Sequence, residues 1–276
     1  MRLFNKVAIV GTGLIGGSVG MAIRKNGLAG EVVGVSRHAK NILLARKMRA
    51  IDKGSQDLGI IKGADLVVLA TPVEAILGLS KKISSLVSGD CVVTDVGSTK
   101  EKIVSRLDRV FPGYIGSHPL AGSEKRSVFY ARPDIFKGSL CVLTPTAKTN
   151  VKALSKIKRL WGSVGARVVL LRPETHDAIL SFASHLPHVA AFSLINSVPA
   201  ACLKFASGGL KDTTRIAASD AELWAEIFLS NKNNLTRAIG VFQGNLSEIK
   251  SALRHQDKKR LQSILKEAKS RREELG

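Results

Sequence analysis

Ser117-His118-Pro119-Leu-Ala-Gly122-Ser-Glu124 follows a short apolar run and places an imidazole on a loop just past a strand's carboxyl end. Functional residues concentrate on such loops, and the ordinary pKa of histidine lies near physiological pH, so His118 is suited to act as a general base. Ser98 opens a helical stretch with Glu101 three residues on, which reads as a capping box and leaves room for a second, chemical role. Ser184-His185-Leu-Pro-His188 puts two imidazoles three apart, hence on one helix face. With His176 or Asp177 two turns earlier a metal site is conceivable, but the chain lacks a richer constellation such as His-Glu-x-x-His, and no metal is expected. Arg215, in Lys211-Asp-Thr-Thr-Arg215, has the fork to clamp a carboxylate, or to pair with Asp212 or Asp220. Trp224 reads, on composition, as core or interface.

The chemistry available to these groups depends on what lies beside them, and the start of the chain supplies it. Val7-Ala-Ile-Val-Gly11-Thr-Gly13-Leu-Ile-Gly16 is a β-branched strand, a glycine turn and the start of an apolar-periodic helix. Gly11 serves the turn, Gly13 lets backbone approach a pyrophosphate, and Gly16 lets helix and strand pack closely. The pyrophosphate is expected on the helix N-terminus, where unpaired N–H groups and the helix dipole favour negative charge. Cofactor contacts are therefore expected from Gly11, Thr12, Gly13, Leu14, Ile15 and Gly16, and from Thr71 and Pro72 at the end of a later strand. At the end of the second strand, Ser36-Arg37 stands where an Asp or Glu would accept from the adenosine 2′-hydroxyl. Nothing there repels a 2′-phosphate and Arg37 can pair with it, so NADP is favoured over NAD.

Strands and helices then alternate: a strand at 31–36, a helix at 39–50, a strand at 64–70 and a helix at 73–87. A strand at 91–96, a helix to about 110 and a strand at 114–118 follow, then an irregular stretch to 137, a strand at 139–144, a helix at 150–163 and a last strand at 167–171. This is the signature of a doubly wound parallel sheet, which binds ligands at the carboxyl ends of its strands. From Pro173 the strands disappear. A helix at 174–198 is expected to kink at Pro187, Gly208-Gly209 marks a loop, and helical periodicity returns over 222–253 and once more near the end. The expected architecture is an α/β Rossmann-type domain at 1–171 followed by an all-α domain at 172–276, whose amphipathic helices bury their stripes against a second copy.

The 276 residues and 45% hydrophobic content suffice for a full-sized core. No apolar run is expected to approach the ~18–20 residues of a membrane span, and the glycines after Val10 interrupt any signal-like segment. A cytoplasmic location is expected, with Cys91, Cys141 and Cys202 as reduced core thiols. The net charge of +20 is spread along the chain. With 5% aromatic residues and no recognition motif, it suits anionic small molecules better than nucleic acid.

Taken together, the Gly-rich start, Asp95-Val-Gly-Ser98-Thr-Lys, Ser117-His118-Pro-Leu-Ala-Gly-Ser-Glu124, Ser184-His185-Leu-Pro-His188, and Gly208-Gly-Leu-Lys-Asp-Thr-Thr-Arg215 with Trp224 resemble the prephenate and arogenate dehydrogenases of tyrosine biosynthesis. The resemblance runs from about Lys6 to Leu253 with the motifs in order. It implies an NAD(P)-dependent oxidative decarboxylation of a cyclohexadienyl ring, with His118 taking the hydroxyl proton as hydride leaves that carbon. It also implies that Ser98 assists His118, that Arg215 holds a substrate carboxylate, and that Ser184, His185, His188 and Trp224 line the pocket with Glu124 organising it. His188 leans towards prephenate and Ser36-Arg37 towards the NADP-using arogenate enzymes, so arogenate or dual specificity is the alternative. The resemblance further implies a homodimer through the helical half. No added regulatory or mutase domain is expected, and any feedback control is expected to act within the two domains. A β-hydroxyacid dehydrogenase or imine reductase would carry a catalytic lysine on the helical half or lack the His118 motif, and a basic redox-sensing protein would need no base at 118.

Overall fold

In the computed structural model, which describes residues 2–275 apart from 124 and 126, eight strands form one sheet in the order β3-β2-β1-β4-β5-β6-β7-β8. They are β1 (Phe4–Val10), β2 (Ala29–Val35), β3 (Lys53–Ser55), β4 (Leu66–Leu69), β5 (Val92–Asp95), β6 (Tyr114–Pro119), β7 (Leu140–Thr144) and β8 (Arg167–Leu170). The crossover helices are α1 (Leu14–Lys25), α2 (Ala39–Lys47), α3 (Val73–Ser84), α4 (Glu101–Leu107) and α5 (Val151–Ser163). Because side chains alternate along a strand, β1 serves two cores at once. Val7 and Ile9 join Val19 and Ile23 of α1 and Trp161 of α5 on one face, while Ala8 and Val10 join Ile76 and Ile83 of α3 and Ile103 of α4 on the other. Strands covered on both faces need continuous apolar runs, which is what β1 and β4 have.

The sheet departs from the all-parallel expectation at one place. β7 runs antiparallel to β6, with His118 opposite Val142, and β8 is again parallel to β7. Parallel pairing needs a crossover of a dozen or more residues, usually an α-helix, and among the described residues between β6 and β7 the one helical element is the short turn Val128–Tyr130. The chain therefore returns alongside itself. The short β3 at the sheet's edge also escaped the sequence pattern, because three residues carry no periodicity.

The helical part begins with α6 (Pro173–Leu180), a π turn at Ser181–His185 and α7 (Leu186–Asn196). The Leu186 N–H donates to the Ser181 carbonyl, five residues back, so Pro187 is accommodated by a widened turn. Against the expectation that no run approaches a membrane span, this 24-residue run is long and apolar enough by length and composition to cross one; its polar residues, such as His176 and Asp177, hide it from a search for apolar runs. His176, Asp177, Ser181 and His185 on it are buried. Next come α8 (Gly208–Thr214), α9 (Ala221–Ser230), α10 (Lys232–Arg254) and α11 (Lys258–Glu273). The Gly208-Gly209 pair is thus not a loop: it forms the first turn of α8, with Ser207 at the N-cap. Helix starts tolerate glycine, and composition alone cannot separate that use from a loop.

The chain forms two compact units, Met1–Asn231 and Lys232–Gly276. The first contains the sheet and α6 to α9. In the second, α10 and α11 pack together, with an exposed Arg260–Glu248 ion pair at 2.6 Å. Cys91 and Cys141 are buried, and burial pushes the Cys91 thiol up to about 12. Cys202 is exposed rather than a core thiol, because it lies on the surface turn Ala200–Phe205.

Candidate active site

The strands β1, β2, β4, β5 and β6 are parallel, and the ends of the first four are in register: Val10 pairs with Val35 and with Leu69, Leu69 with Asp95, and Asp95 with Gly116, after which β6 runs on three residues to Pro119. The residues after each strand therefore emerge along one edge. The strand order reverses between β1 and β4, which opens a crevice at that edge.

The glycine turn lies in this crevice. Gly11 has φ +102°, and a Cβ there would come within 2.4 Å of the Ala70 carbonyl oxygen. A Cβ on Gly16 would come within 1.9 Å of the Gly11 oxygen, so α1 can approach β1 only without a side chain. Gly13 is the N-cap of α1, and Leu14 and Ile15 open the helix with no side-chain cap and no acidic residue in the first turn. Its N–H groups and positive dipole end are left for an anion. The hydroxyls of Thr12 and Thr71 are buried without a hydrogen-bond partner beside this turn. Pro72 is the exposed N-cap of α3. An uncapped helix N-terminus, steric room for backbone approach and orphaned hydroxyls together fit a dinucleotide pyrophosphate. At the end of β2, Ser36 is half-buried and Arg37 exposed, and the Gln56 amide donates to the Arg37 carbonyl at 2.7 Å.

His118 is half-buried near the end of β6. Its neighbour Ser117 points the other way, into the core, where its hydroxyl meets Thr94 Oγ1 at 2.7 Å and receives the Trp161 indole N–H at 3.1 Å. His118 Nδ1 lies 2.8 Å from His176 Nε2, and His176 Nδ1 lies 2.7 Å from Asp177 Oδ1. The Asp177 carboxylate also accepts the backbone N–H groups of Lys100 at 2.7 Å and Glu101 at 3.0 Å. It thereby caps α4, 76 residues away in sequence. The Lys100 ammonium, fully buried, pairs with Asp95, which also accepts the Tyr114 hydroxyl at 2.7 Å and the Gly97 N–H at 2.8 Å.

Ser98 does not begin α4. Lys100 is the N-cap, and the capping carboxylate is that of Asp177, so the expected capping box with Glu101 is not formed. The tertiary carboxylate outcompetes the local hydroxyl because it reaches two N–H groups at once and carries full charge opposite the helix dipole. Ser98 is left half-buried on the loop between β5 and α4.

From the helical side, His185 Nδ1 lies 3.2 Å from the Asn231 amide nitrogen, which also donates to the Asp177 carbonyl at 2.8 Å. His185 Nε2 is buried with no partner. His188 donates from Nδ1 to the Ser184 carbonyl at 3.1 Å and stacks on Trp224, with ring centroids 3.4 Å apart at 22°. His185 meets the same indole edge-on at 6.1 Å. Trp224 is half-buried against these rings rather than in the core. Arg215 is exposed and opens the turn Arg215–Ala218, which packs on α7. Glu124 lies outside the described residues.

Burial is the main cause of every histidine shift here. It holds His118 well below its ordinary value, with His176, Lys100 and His185 adding in the same direction. It lowers His176 against the opposing pull of Asp177, takes His185 down to about 4, and lowers His188. Tyr114 is pushed well above its ordinary value by burial and by Asp95. At neutral pH the site therefore presents uncharged imidazoles.

His176 and Asp177, read from sequence only as distant metal candidates, spend their polar atoms on each other, on His118 and on α4. The roles of Asp95, Lys100 and Asn231 were not seen in the sequence. The one available signal was polar residues on the apolar side of helical stretches, as His176 and Asp177 lie beside Leu180.

The comparisons with known proteins agree with this geometry. Residues 19–170 match the family model described as prephenate dehydrogenase, nucleotide-binding domain, and residues 172–267 match prephenate dehydrogenase, dimerization domain. The chain is 33% identical over 285 residues to the prephenate dehydrogenase of Bacillus subtilis (strain 168), covering 99% of this chain and 77% of that protein. It is 32% identical to the cyclohexadienyl dehydrogenase of Zymomonas mobilis, covering 99% and 96%. Among solved structures, prephenate dehydrogenase from Aquifex aeolicus in complex with hydroxyphenyl propionate and NAD+ superposes with a TM-score of 0.94 at 37% identity, covering 99% of this chain and 98% of that one. Synechocystis arogenate dehydrogenase gives 0.84 at 27% identity, covering 98% and 100%. A nucleotide crevice with a half-buried, neutral histidine on the same edge of the sheet, followed by a helical segment that matches a dimerization domain over almost its whole length, places this chain in the prephenate dehydrogenase family as an NAD(P)-dependent oxidoreductase.

Proposed function

We propose that the chain oxidises prephenate to 4-hydroxyphenylpyruvate with loss of carbon dioxide, with arogenate as the alternative substrate. The observation that carries this reading is His118, an uncharged imidazole near the end of β6, on the same edge of the sheet as the glycine turn. His118 takes the proton of the ring hydroxyl at Nε2, Ser98 assists from the β5–α4 loop, and Arg215 holds a carboxylate. Ser184, His185, His188 and Trp224 form the wall that orients the ring, and Glu124 is assigned to organise the site by its place in the motif. The bound nucleotide supplies the hydride acceptor, and aromatisation of the ring drives the step. The protein's contribution is therefore orientation and proton placement.

NADP+ is the preferred nucleotide in this reading, supported by Ser36 and Arg37 at the end of β2 and by the absence of a carboxylate at that position. Gly11 to Gly16, Thr71 and Pro72 hold the rest of it. We assign the division of labour to a nucleotide domain at 1–171 and a helical domain at 172–276 that joins two copies. Exposed apolar side chains such as Ile179, Phe182 and Leu229 support the homodimer. The +20 charge favours anionic small molecules rather than nucleic acid or membrane, and a cytoplasmic location suits a nicotinamide-dependent biosynthetic step.

The test is direct. Purified chain is mixed with prephenate or arogenate and with NAD+ or NADP+, and reduced-nicotinamide absorbance is followed. Turnover of prephenate with NADP+ is expected, and no reduction with either substrate would overturn the reading. Light scattering at micromolar concentration is expected to give twice the chain mass, and a monomer would remove the dimer.

A further inference from the structure

We propose that His176 and Asp177 are positioning residues: Asp177 sets the tautomer of His176, and His176 in turn holds His118 with its proton on Nδ1 and its Nε2 lone pair free for the substrate. The inference rests on the reading of His118 as the base and adds to it how that base is kept ready.

The tautomers follow from donor and acceptor counting. A carboxylate whose oxygens both accept backbone N–H groups at a helix start acts there as an acceptor. Asp177 does so, through Lys100 and Glu101. The hydrogen it shares with His176 at 2.7 Å therefore belongs to His176 Nδ1. A neutral imidazole carries one N–H, so His176 Nε2 can only accept. His118 Nδ1, 2.8 Å away, must then be the donor, which leaves His118 Nε2 unprotonated. His176 is fully buried and burial keeps it neutral, as this chain of bonds requires.

The surrounding charges suit the step. In the reaction the O–H bond of the ring hydroxyl breaks, an N–H bond forms at His118 Nε2, and the hydride goes to the oxidised nucleotide. His118 becomes a cation that still donates from Nδ1, now in a charge-assisted bond to His176, with the Asp177 carboxylate next in line. The charged and titratable groups that act on the pair are Lys100 from the β5–α4 loop, Asp95 at the end of β5 and His185 from the π turn, with Tyr114 of β6 bonded to Asp95 behind them. Asp95 pairs with the Lys100 ammonium and offsets its repulsion of the new cation. The same Asp177 carboxylate anchors α4, so the loop bearing Ser98 and the base on β6 share one fixed point.

The experiment uses the full-length enzyme labelled with 15N in its histidines. Imidazole nitrogen spectra, assigned through His118→Asn and His176→Gln, should show His118 protonated on Nδ1 at pH 7.5. Asp177→Asn replaces an obligate acceptor by a group that can donate to His176 Nδ1, so both tautomers should reverse, and turnover should fall about a hundredfold or more with little change in KM. Because Asp177→Asn also disturbs the cap on α4, His176 is changed separately. His176→Gln keeps an acceptor for His118 and should retain much of the rate, whereas His176→Leu should lose it and displace the acid limb of the rate profile. A His118 protonated on Nε2 in the wild type would overturn the relay. So would equal rates and acid limbs for His176→Gln and His176→Leu. If His118→Asn itself turns over within about threefold of wild type, the base assignment fails, and the relay loses its purpose whichever tautomer the spectra show.

Discussion

The indole N–H of Trp161 donates to the hydroxyl of Ser117 at 3.1 Å, one residue before His118. Side chains alternate along β6, so anchoring Ser117 in the core from α5 fixes the opposite orientation for His118. A one-residue slip would bury the imidazole and expose the serine. His118→Asn keeps the strand and removes the base. Turnover is expected to fall by about two to four orders of magnitude while the nucleotide dissociation constant stays nearly unchanged. The wild-type rate should fall in acid with a limb below pH 6.5, because burial and the neighbouring His176 and Lys100 disfavour the imidazolium. The variant should lack that limb, and steady-state profiles from pH 5 to 9 check both points.

Nucleotide choice turns on two side chains at the end of β2. Changing Ser36→Asp with Arg37→Ile adds an acceptor for a ribose hydroxyl and removes the partner of a 2′-phosphate. The ratio of kcat/KM for NADP+ over NAD+ should fall by about tenfold or more. A wild type already more efficient with NAD+ would refute the assignment of Arg37.

Arg215→Ala should raise the Michaelis constant for the cyclohexadiene more than it lowers turnover, since a carboxylate clamp acts before and during hydride transfer. A loss of about 1.5–3 kcal/mol is expected for a charged hydrogen-bonded contact, read as about a tenfold to hundredfold rise in KM. An unchanged KM would leave Arg215 a structural residue of its turn.

Stability should depend on pH through the buried histidines. His118, His176, His185 and His188 are all lowered in the folded chain, His185 to about 4. In the unfolded chain they bind protons near pH 6.5, so below that value the unfolded state takes up more protons and folding weakens. Melting temperature should hold between pH 8 and 7 and fall from about pH 6.5 towards 4, by at least several degrees. A flat profile across that window would show that these imidazoles are not neutral in the fold.

The glycine turn and β1 were legible in sequence because their causes are local. Gly11 needs its φ and Gly16 its missing Cβ whatever happens elsewhere. His118 was legible because it sits at the end of a strand that announces itself. Asp177 was not: its partners Lys100 and Glu101 lie more than seventy residues away, and nothing in the pattern around 177 names them. For the same reason Ser98 looked like a cap, since a local hydroxyl is visible in the sequence and a distant carboxylate is not. Gly208-Gly209 misled in the other direction, as a helix start that uses glycine resembles a loop. β7 reversed direction because the link before it lacks a crossover helix, a property of a long irregular segment rather than of the strand.

The π turn at Ser181–His185 fits one more residue into the rod than an α-helix of the same span would hold. An α-helix advances about 100° per residue, and the wider turn takes up that extra step locally, so the helix beyond it keeps nearly the phase it would have without the added residue. Asp177 on the near side can therefore stay on α4 while His188 on the far side stays stacked on Trp224 of α9. The added residue works as slack taken up within one turn, and removing it would shorten the sequence between the two sets of imidazoles without re-aiming either.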